Sequence, residues 1–295
     1  MESNTHLFDL NDYTNEAKGK GYLPLDYPLW TKNKAHFIAR YLKSFTYVTR
    51  HGTYIDAFAG PQHEESRNDS WAAKLVMQNE PAWLRNFHLF DLASDQIGHL
   101  KNIKKEYLEK HPKKPLRTVT ITEGDCNTTL PRFLNENPIQ EKEASFCLFD
   151  QRSTECAWET VKYVAEHKGG KGGHKIELFY FLPQGWIDRT IKSWKNDVES
   201  RCLRWWGRAD VLNFLKLRSN ERGIAMADRF REELGYKYSF PFPIQKFGKN
   251  GAVMFWMIHA SDHSRATDLM RQSYNFIGAG GGVSDPCEQF ELKIE

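Results

Sequence analysis

Apolar residues along the chain fall into short runs of four to seven and into stripes that recur every three or four positions. That mixture predicts strands alternating with amphipathic helices. The strand-like runs end at Asp56 and cover Phe87–Phe90, Thr118–Thr122, Ser145–Phe149 and Ile176–Leu182. Two later β-rich segments, Tyr236–Gln245 and Ala252–His259, flank Phe247-Gly248-Lys249-Asn250-Gly251, a strong hairpin turn. Helical spacing opens at Pro28 and runs to about Phe45, with Trp30, Phe37, Ile38, Tyr41, Leu42 and Phe45 on one face. Further helices are expected over Trp71–Gln78, from Ser94 through Ile97, Leu100, Ile103 and Leu108, over Trp158–His167, and over Ser264–Tyr274. The order implies an α/β, Rossmann-like domain across 28–277, with a mostly parallel seven-stranded sheet closed by a C-terminal antiparallel hairpin. A helical insertion fills about 188–235. Residues 1–27 form an N-terminal arm, and 278–295 a glycine-rich hinge and tail.

Four of the runs deliver an aspartate at or just beyond their last residue: Asp56, Asp91, Asp125 and Asp150. They are 35, 34 and 25 residues apart, the length of a strand plus a crossover helix. In an open parallel sheet the carboxyl ends of the strands line the crevice where ligands bind. One such aspartate alone reads as a helix cap or turn former. Four in register favour a ligand with hydroxyls and amino groups, such as a nucleoside. Asp56, with Phe58, Ala59, Gly60 and Pro61 behind it, would sit beneath a charged, flexible end, holding an ammonium while glycine admits backbone N–H groups. Asp91 would accept from ribose hydroxyls, Asp125, followed by Cys126, from an exocyclic amine, and Asp150 would lie nearest the reacting group.

Composition narrows the field. With 40% hydrophobic and 27% charged residues, the chain has the make-up of a globular protein. No apolar stretch approaches the ~20 residues that span a bilayer, which predicts no membrane association. Five cysteines at 126, 147, 156, 202 and 287 show no metal spacing, and their odd number without a secretion signal points to free thiols and a cytoplasmic location. A metal-dependent nuclease built on the aspartates lacks the Lys or His expected at tight spacing, so no metal is expected. His63, His88 and His259 have no partner at suggestive spacing and read as structural. The run Lys168-Gly169-Gly170-Lys171-Gly172-Gly173 precedes a strand and lacks Gly-Lys-Ser/Thr, so it is a connector, not a phosphate loop.

The segment Tyr54-Ile55-Asp56-Ala57-Phe58-Ala59-Gly60-Pro61 resembles the first motif of the three-Cys-motif partner (TcmP) proteins, which are similar to class I S-adenosylmethionine-dependent methyltransferases. The likeness continues at Leu89-Phe90-Asp91, Gly124-Asp125-Cys126-Asn127, Phe149-Asp150, Trp158-Glu159-Thr160, Trp186-Ile187-Asp188-Arg189 and Phe255–His263, covering roughly 28–277. It implies a class I methyltransferase fold, S-adenosyl-L-methionine as cofactor, and pairing with a separate cysteine-motif protein. The chain departs from the family at Gln62, at Asp69-Ser70-Trp71, and at Asp150-Gln151-Arg152-Ser153, where the family has Asp-Pro-aromatic-Gly.

Methyl transfer needs mostly alignment and exclusion of water. Asp150 could orient an amine and accept its proton, and Arg152 could stack on an acceptor through its guanidinium plane. Residues 189–222 carry nine Lys/Arg against four acids, with Trp194, Trp205 and Trp206 interleaved. Charge for phosphates and rings for bases make Arg189, Arg204, Trp205, Trp206 and Arg208 candidates for binding nucleic acid or another substrate. The competing reading is a helical cover with its tryptophans turned inward. The expected function is therefore a methyltransferase-like protein acting on a macromolecular or modified-nucleotide acceptor. The alternative is a catalytically decayed fold that binds a cofactor or a partner.

Overall fold

A computed structural model describes residues 29–61, 70–112, 116–170, 173–194, 198–246 and 252–281. The arm at 1–27, Gln62, His63 and Asp69, Lys171 and Gly172 of the glycine run, the hairpin turn Phe247–Gly251, the tail from 282 with Cys287, and the side chain of Trp194 lie outside the described residues.

The fold is Rossmann-like α/β. Its strands are β1 (Leu29–Trp30), β2 (Gly52–Asp56), β3 (Leu84–Asp91), β4 (Thr118–Glu123), β5 (Ser145–Phe149), β6 (Glu177–Leu182), β7 (Tyr238–Gln245) and β8 (Val253–Ser261). They form one sheet in the order β1-β7-β8-β6-β5-β2-β3-β4. β4, β3, β2, β5 and β6 pair in parallel, while β8 runs antiparallel to both β6 and β7. The seven expected strands are all present, and β1 is an addition. Leu29 and Trp30 were expected in a helix, but they pair with the outer edge of β7 instead. Pro241 and Pro243 in β7 remove two ladder donors, and β1 reaches only Ile244 and Gln245. Tertiary pairing has overridden helical periodicity.

Ten α-helices cover the sheet among the described residues: α1 (Lys34–Thr49), α2 (Ala72–Met77), α3 (Ser94–Lys110), α4 (Cys126–Glu136), α5 (Trp158–Glu166), α6 (Gln184–Trp194), α7 (Val198–Trp206), α8 (Val211–Lys216), α9 (Ser219–Glu232) and α10 (Ser264–Gly278). None is long and apolar enough to cross a membrane. Side-chain alternation along the central strands divides the core in two. Phe146 and Leu148 of β5 face α1, α2, α3 and α10, whereas Cys147 and Phe149 face α4, α5 and α7–α9. Both β5 and β6 are buried at every position, as expected for strands covered on both faces. Consecutive strands run outward from β2 to β3 and β4, and outward the other way from β5 to β6. The sheet order therefore reverses between β2 and β5, where a ligand crevice forms outside the carboxyl ends.

Candidate functional site

The crevice opens at that reversal. It has a lobe of about 460 Å³ that includes Lys34, Asp56, Trp71, Asp150, Arg189 and Phe255. A second lobe of about 340 Å³ includes Pro61, Asp91, Asp95, Asp125, Cys126 and Glu155. Phe58, Gly60, Asp150 and Arg152 border both, and Ala59 borders the first. Every aspartate singled out in the sequence thus reaches one crevice, as do the turn residues behind the first.

Their environments differ. Asp56, at the end of β2, is 1% exposed. One carboxylate oxygen accepts the Tyr54 hydroxyl at 2.7 Å and the other accepts the Phe58 N–H at 3.1 Å. Burial pushes its pKa up to about 7, with nearby Asp150 and Asp91 adding to the rise, while the two hydrogen bonds pull against it. Asp91 receives the Gly60 N–H at 2.8 Å and the Ala93 N–H at 3.0 Å. Asp91 lines the second lobe. Asp125 caps α4, taking the Asn127 N–H at 2.9 Å and the Asn127 side-chain amide at 2.7 Å. Capping and crevice lining coexist in this residue. Asn127 also accepts the Ala157 N–H at 2.7 Å and the Thr160 hydroxyl at 3.0 Å, tying α4 to the start of α5.

Two glycines are required by this geometry. A Cβ on Gly60 would lie 2.6 Å from the Asp91 carboxylate and 2.6 Å from Gln96 Cβ. The carboxylate could swing aside, but the Gln96 Cβ is fixed to α3. Gly60→Ala is therefore expected to cost about 1–3 kcal/mol through overpacking, and to displace Asp91 from the crevice. A lowered melting temperature and lost ligand binding in calorimetry check it; wild-type values for both would show that the turn yields freely. Gly124 has φ +133°, closed to side chains, and donates to the Asp91 carbonyl at 2.9 Å.

Asp150 follows β5 and is 7% exposed. Its carboxylate lies 2.6 Å from the ammonium of Lys34, the first residue of α1. That ammonium also lies 4.9 Å from the Phe181 ring centre and 4.7 Å from that of Phe255. Sequence reasoning missed Lys34, although a signal was present: it shares the helical stripe of Phe37, Ile38, Tyr41 and Phe45, where a lysine is out of place. Gln151 is fully buried and structural. Its side chain donates to the Phe181 carbonyl at 3.2 Å and accepts the Cys156 N–H at 3.0 Å. Arg152 is exposed at the junction of the lobes, on a turn whose N–H groups at 152 and 153 both bond Glu155.

The five residues expected to form a substrate surface separate. Arg189 is exposed and lines the first lobe. Arg204 reaches Asp125 at 3.5 Å at the edge of the second. Trp205 and Trp206 are 1% and 3% exposed, so neither ring can stack on a base. Trp205 donates to the Tyr180 hydroxyl at 2.6 Å, and Trp206 to Asp210 at 2.6 Å. The Arg229 guanidinium lies 3.7 Å from the Trp158 ring centre and 4.0 Å from that of Trp206. Arg208 is paired with Asp210 and Glu233, away from the crevice lining. Here the inward-facing helical cover is what forms. His88 is held neutral by burial, its pKa lowered to about 4, against Phe133. No cluster of three His, Cys, Asp or Glu among the described residues is arranged to hold a metal ion.

No protein-family model matches this chain, and no curated protein matches it either.

Proposed function

We propose that this chain is an S-adenosylmethionine-dependent methyltransferase-like protein with a macromolecular or modified-nucleotide acceptor. The observation that carries the proposal is the meeting of Asp56, Asp91, Asp125 and Asp150 in one crevice at the sheet's reversal point. Parallel strands finishing on an antiparallel pair are also what the class I methyltransferase plan would require, which supports the reading. The residues present fit the cofactor. Gly60 keeps backbone close where a Cβ would collide, and Asp91 and Asp125 retain acceptor capacity beside it. When bound, S-adenosylmethionine supplies an activated methyl group. Asp91 would then hold the ribose hydroxyls, Asp125 the adenine amine, and Asp56, once ionised, the ammonium. Asp150 orients the acceptor's proton-bearing atom, with Lys34 fixing the carboxylate and Phe58 and Trp71 keeping water out.

One observation favours a second reading, a cofactor- or partner-binding module without catalysis. Gln151 is consumed by internal hydrogen bonds, and Asp150 by Lys34, at the point where an amine acceptor would be held. A cysteine-motif protein, implied by the family resemblance, is the partner proposed for this case. Isothermal calorimetry with S-adenosylmethionine and its demethylated product is expected to show binding of both. Absence of heat at millimolar ligand would remove the methyltransferase reading and leave only the partner-binding form of the second. Binding without transfer of a labelled methyl group to nucleic acid or protein would select the second.

A further inference from the structure

The two lobes of the crevice carry opposite charge. Among the described residues, Asp91, Asp95, Asp125, Asp150 and Glu155 line the second lobe against one cation, Arg152. The first lobe is lined by Lys32, Lys34, Arg152 and Arg189 against two acids, Asp56 and Asp150. Lys34 is matched within the lobe, its ammonium 2.6 Å from Asp150. Burial pushes the pKa of Asp56 up to about 7, so near neutral pH it is ionised only in part. The other three cations arrive from segments far apart in the chain. Lys32 comes from the 3-10 turn ahead of α1, Arg152 from the turn after β5, and Arg189 from α6. All three are exposed as well as lining the lobe.

Ring surface accompanies that charge. Phe58, on the turn after β2, and Phe255, in β8, border the same lobe, and both are half-buried. Trp71, also on its wall, is 5% exposed and donates its indole N–H to the Ala59 carbonyl at 2.6 Å. A cleft lined by one sign of charge concentrates ligands of the other sign. Basic groups beside rings suit a nucleotide, with guanidinium forks for the phosphate and ring faces for the base. That pairing, expected of Trp205 and Trp206 on the helical cover and not found there, recurs in the first lobe.

We infer that the first lobe takes a nucleotide, its phosphate held by Arg189, Arg152 and Lys32 and its base packed on Phe58 and Phe255. The inference rests on the methyltransferase reading and narrows the acceptor to a phosphate-bearing nucleotide unit. The cofactor brings an ammonium and a sulfonium, which suit the acids of the crevice. Its single carboxylate offsets at most one of the three cations, and phosphate answers the others. A free nucleotide and a nucleotide within a strand share this chemistry.

The test is calorimetric titration of the full chain, alone and saturated with the demethylated cofactor product. The probes are the ribonucleoside 5′-monophosphates of the common bases, the matching uncharged nucleosides, and a mixed-sequence single strand of about twelve nucleotides. At least one monophosphate is expected to bind about tenfold more tightly than its nucleoside, the margin of a charge-assisted hydrogen bond. Arg189→Gln is expected to weaken that monophosphate about tenfold and leave its nucleoside unchanged. Lys105→Gln removes an equal charge from the exposed face of α3, lines neither lobe, and is expected to change neither affinity. Phe255→Leu keeps the wall apolar and is expected to weaken nucleotide and nucleoside alike, severalfold. A strand that outbinds every monophosphate assigns the nucleotide to a nucleic acid, and one that does not assigns it to the free form. Nucleosides binding as tightly as monophosphates, or an Arg189→Gln loss no greater than that of Lys105→Gln, would overturn the inference. So would affinity indifferent to Phe255→Leu, or no saturable binding of any nucleotide or strand. That last result with the demethylated product bound would leave the methyltransferase reading standing. Nucleotide binding without product binding would remove that reading and keep the ligand of the first lobe.

Discussion

Asp56→Asn is expected to make the protein more stable at pH 8 than the wild type, and to flatten part of its stability–pH profile. Asp56 has a pKa of about 7 in the folded protein against an ordinary value of 3.8. Between those values the folded state keeps a proton that the unfolded chain releases. Its contribution is fully present below about pH 4 and is lost as pH rises through 7. Asparagine has no proton to lose. Its side chain can accept the Phe58 N–H and donate to the Tyr54 oxygen, preserving the local fold. The stability advantage of the variant should therefore grow by about 2–3 kcal/mol between pH 5 and pH 8. Denaturant melts at the two pH values measure it; a difference independent of pH would show that Asp56 is already ionised in the folded protein. The same group bears on the proposed cofactor. If ionised Asp56 holds the ammonium, affinity should rise about tenfold per pH unit up to 7, then level off. Asp56→Asn should lose that dependence together with most of the affinity, trading function for stability.

Lys34→Met should lower stability by about 3–5 kcal/mol, because it removes the ammonium that lies 2.6 Å from the buried Asp150 carboxylate. For a chain of this size that is a fall of roughly 10 °C in melting temperature. The double change Lys34→Met/Asp150→Asn should recover a substantial part, since the buried negative charge is then removed together with its ammonium. A double-mutant cycle reads the coupling directly. If the single variant melts with the wild type, the pair is not formed in solution and Asp150 is available to an acceptor. Under the methyltransferase proposal the two single variants also separate. Asp150→Asn should reduce transfer with cofactor binding retained, whereas Lys34→Met should disturb both, through the loosened start of α1.

Some of this was legible from residue order, and the reasons are local. The strands are short apolar runs bounded by turn formers, a pattern set by period and composition alone, and every one expected is present. α3 begins at Ser94, where it was read, because its apolar stripe starts there. α4 escaped notice because Pro131 lies inside it, and proline reads as a helix breaker. Its Asp125 cap, the Asn127 clamp and packing of Leu130 and Leu134 compensate. Lys34 lies on the apolar stripe of α1, but its partner was not legible, because Asp150 is 116 residues away in sequence and the Phe181 and Phe255 rings beside it come from other strands.

By itself, then, the chain's order of residues determined the alternation of strands and helices, and the arrival of four aspartates at one edge of a parallel sheet. Both follow from period and spacing, which act over a few residues. Tertiary structure alone decided which of those carboxylates are buried, which cation answers Asp150, and that Trp205 and Trp206 fill the core instead of facing a substrate. It also decided that Tyr41, Glu177, His259 and Ser261 converge, and that Lys32, Arg152 and Arg189 meet in the first lobe. Burial and ion pairing depend on contacts between residues far apart in the chain, and only the assembled sheet brings those into reach.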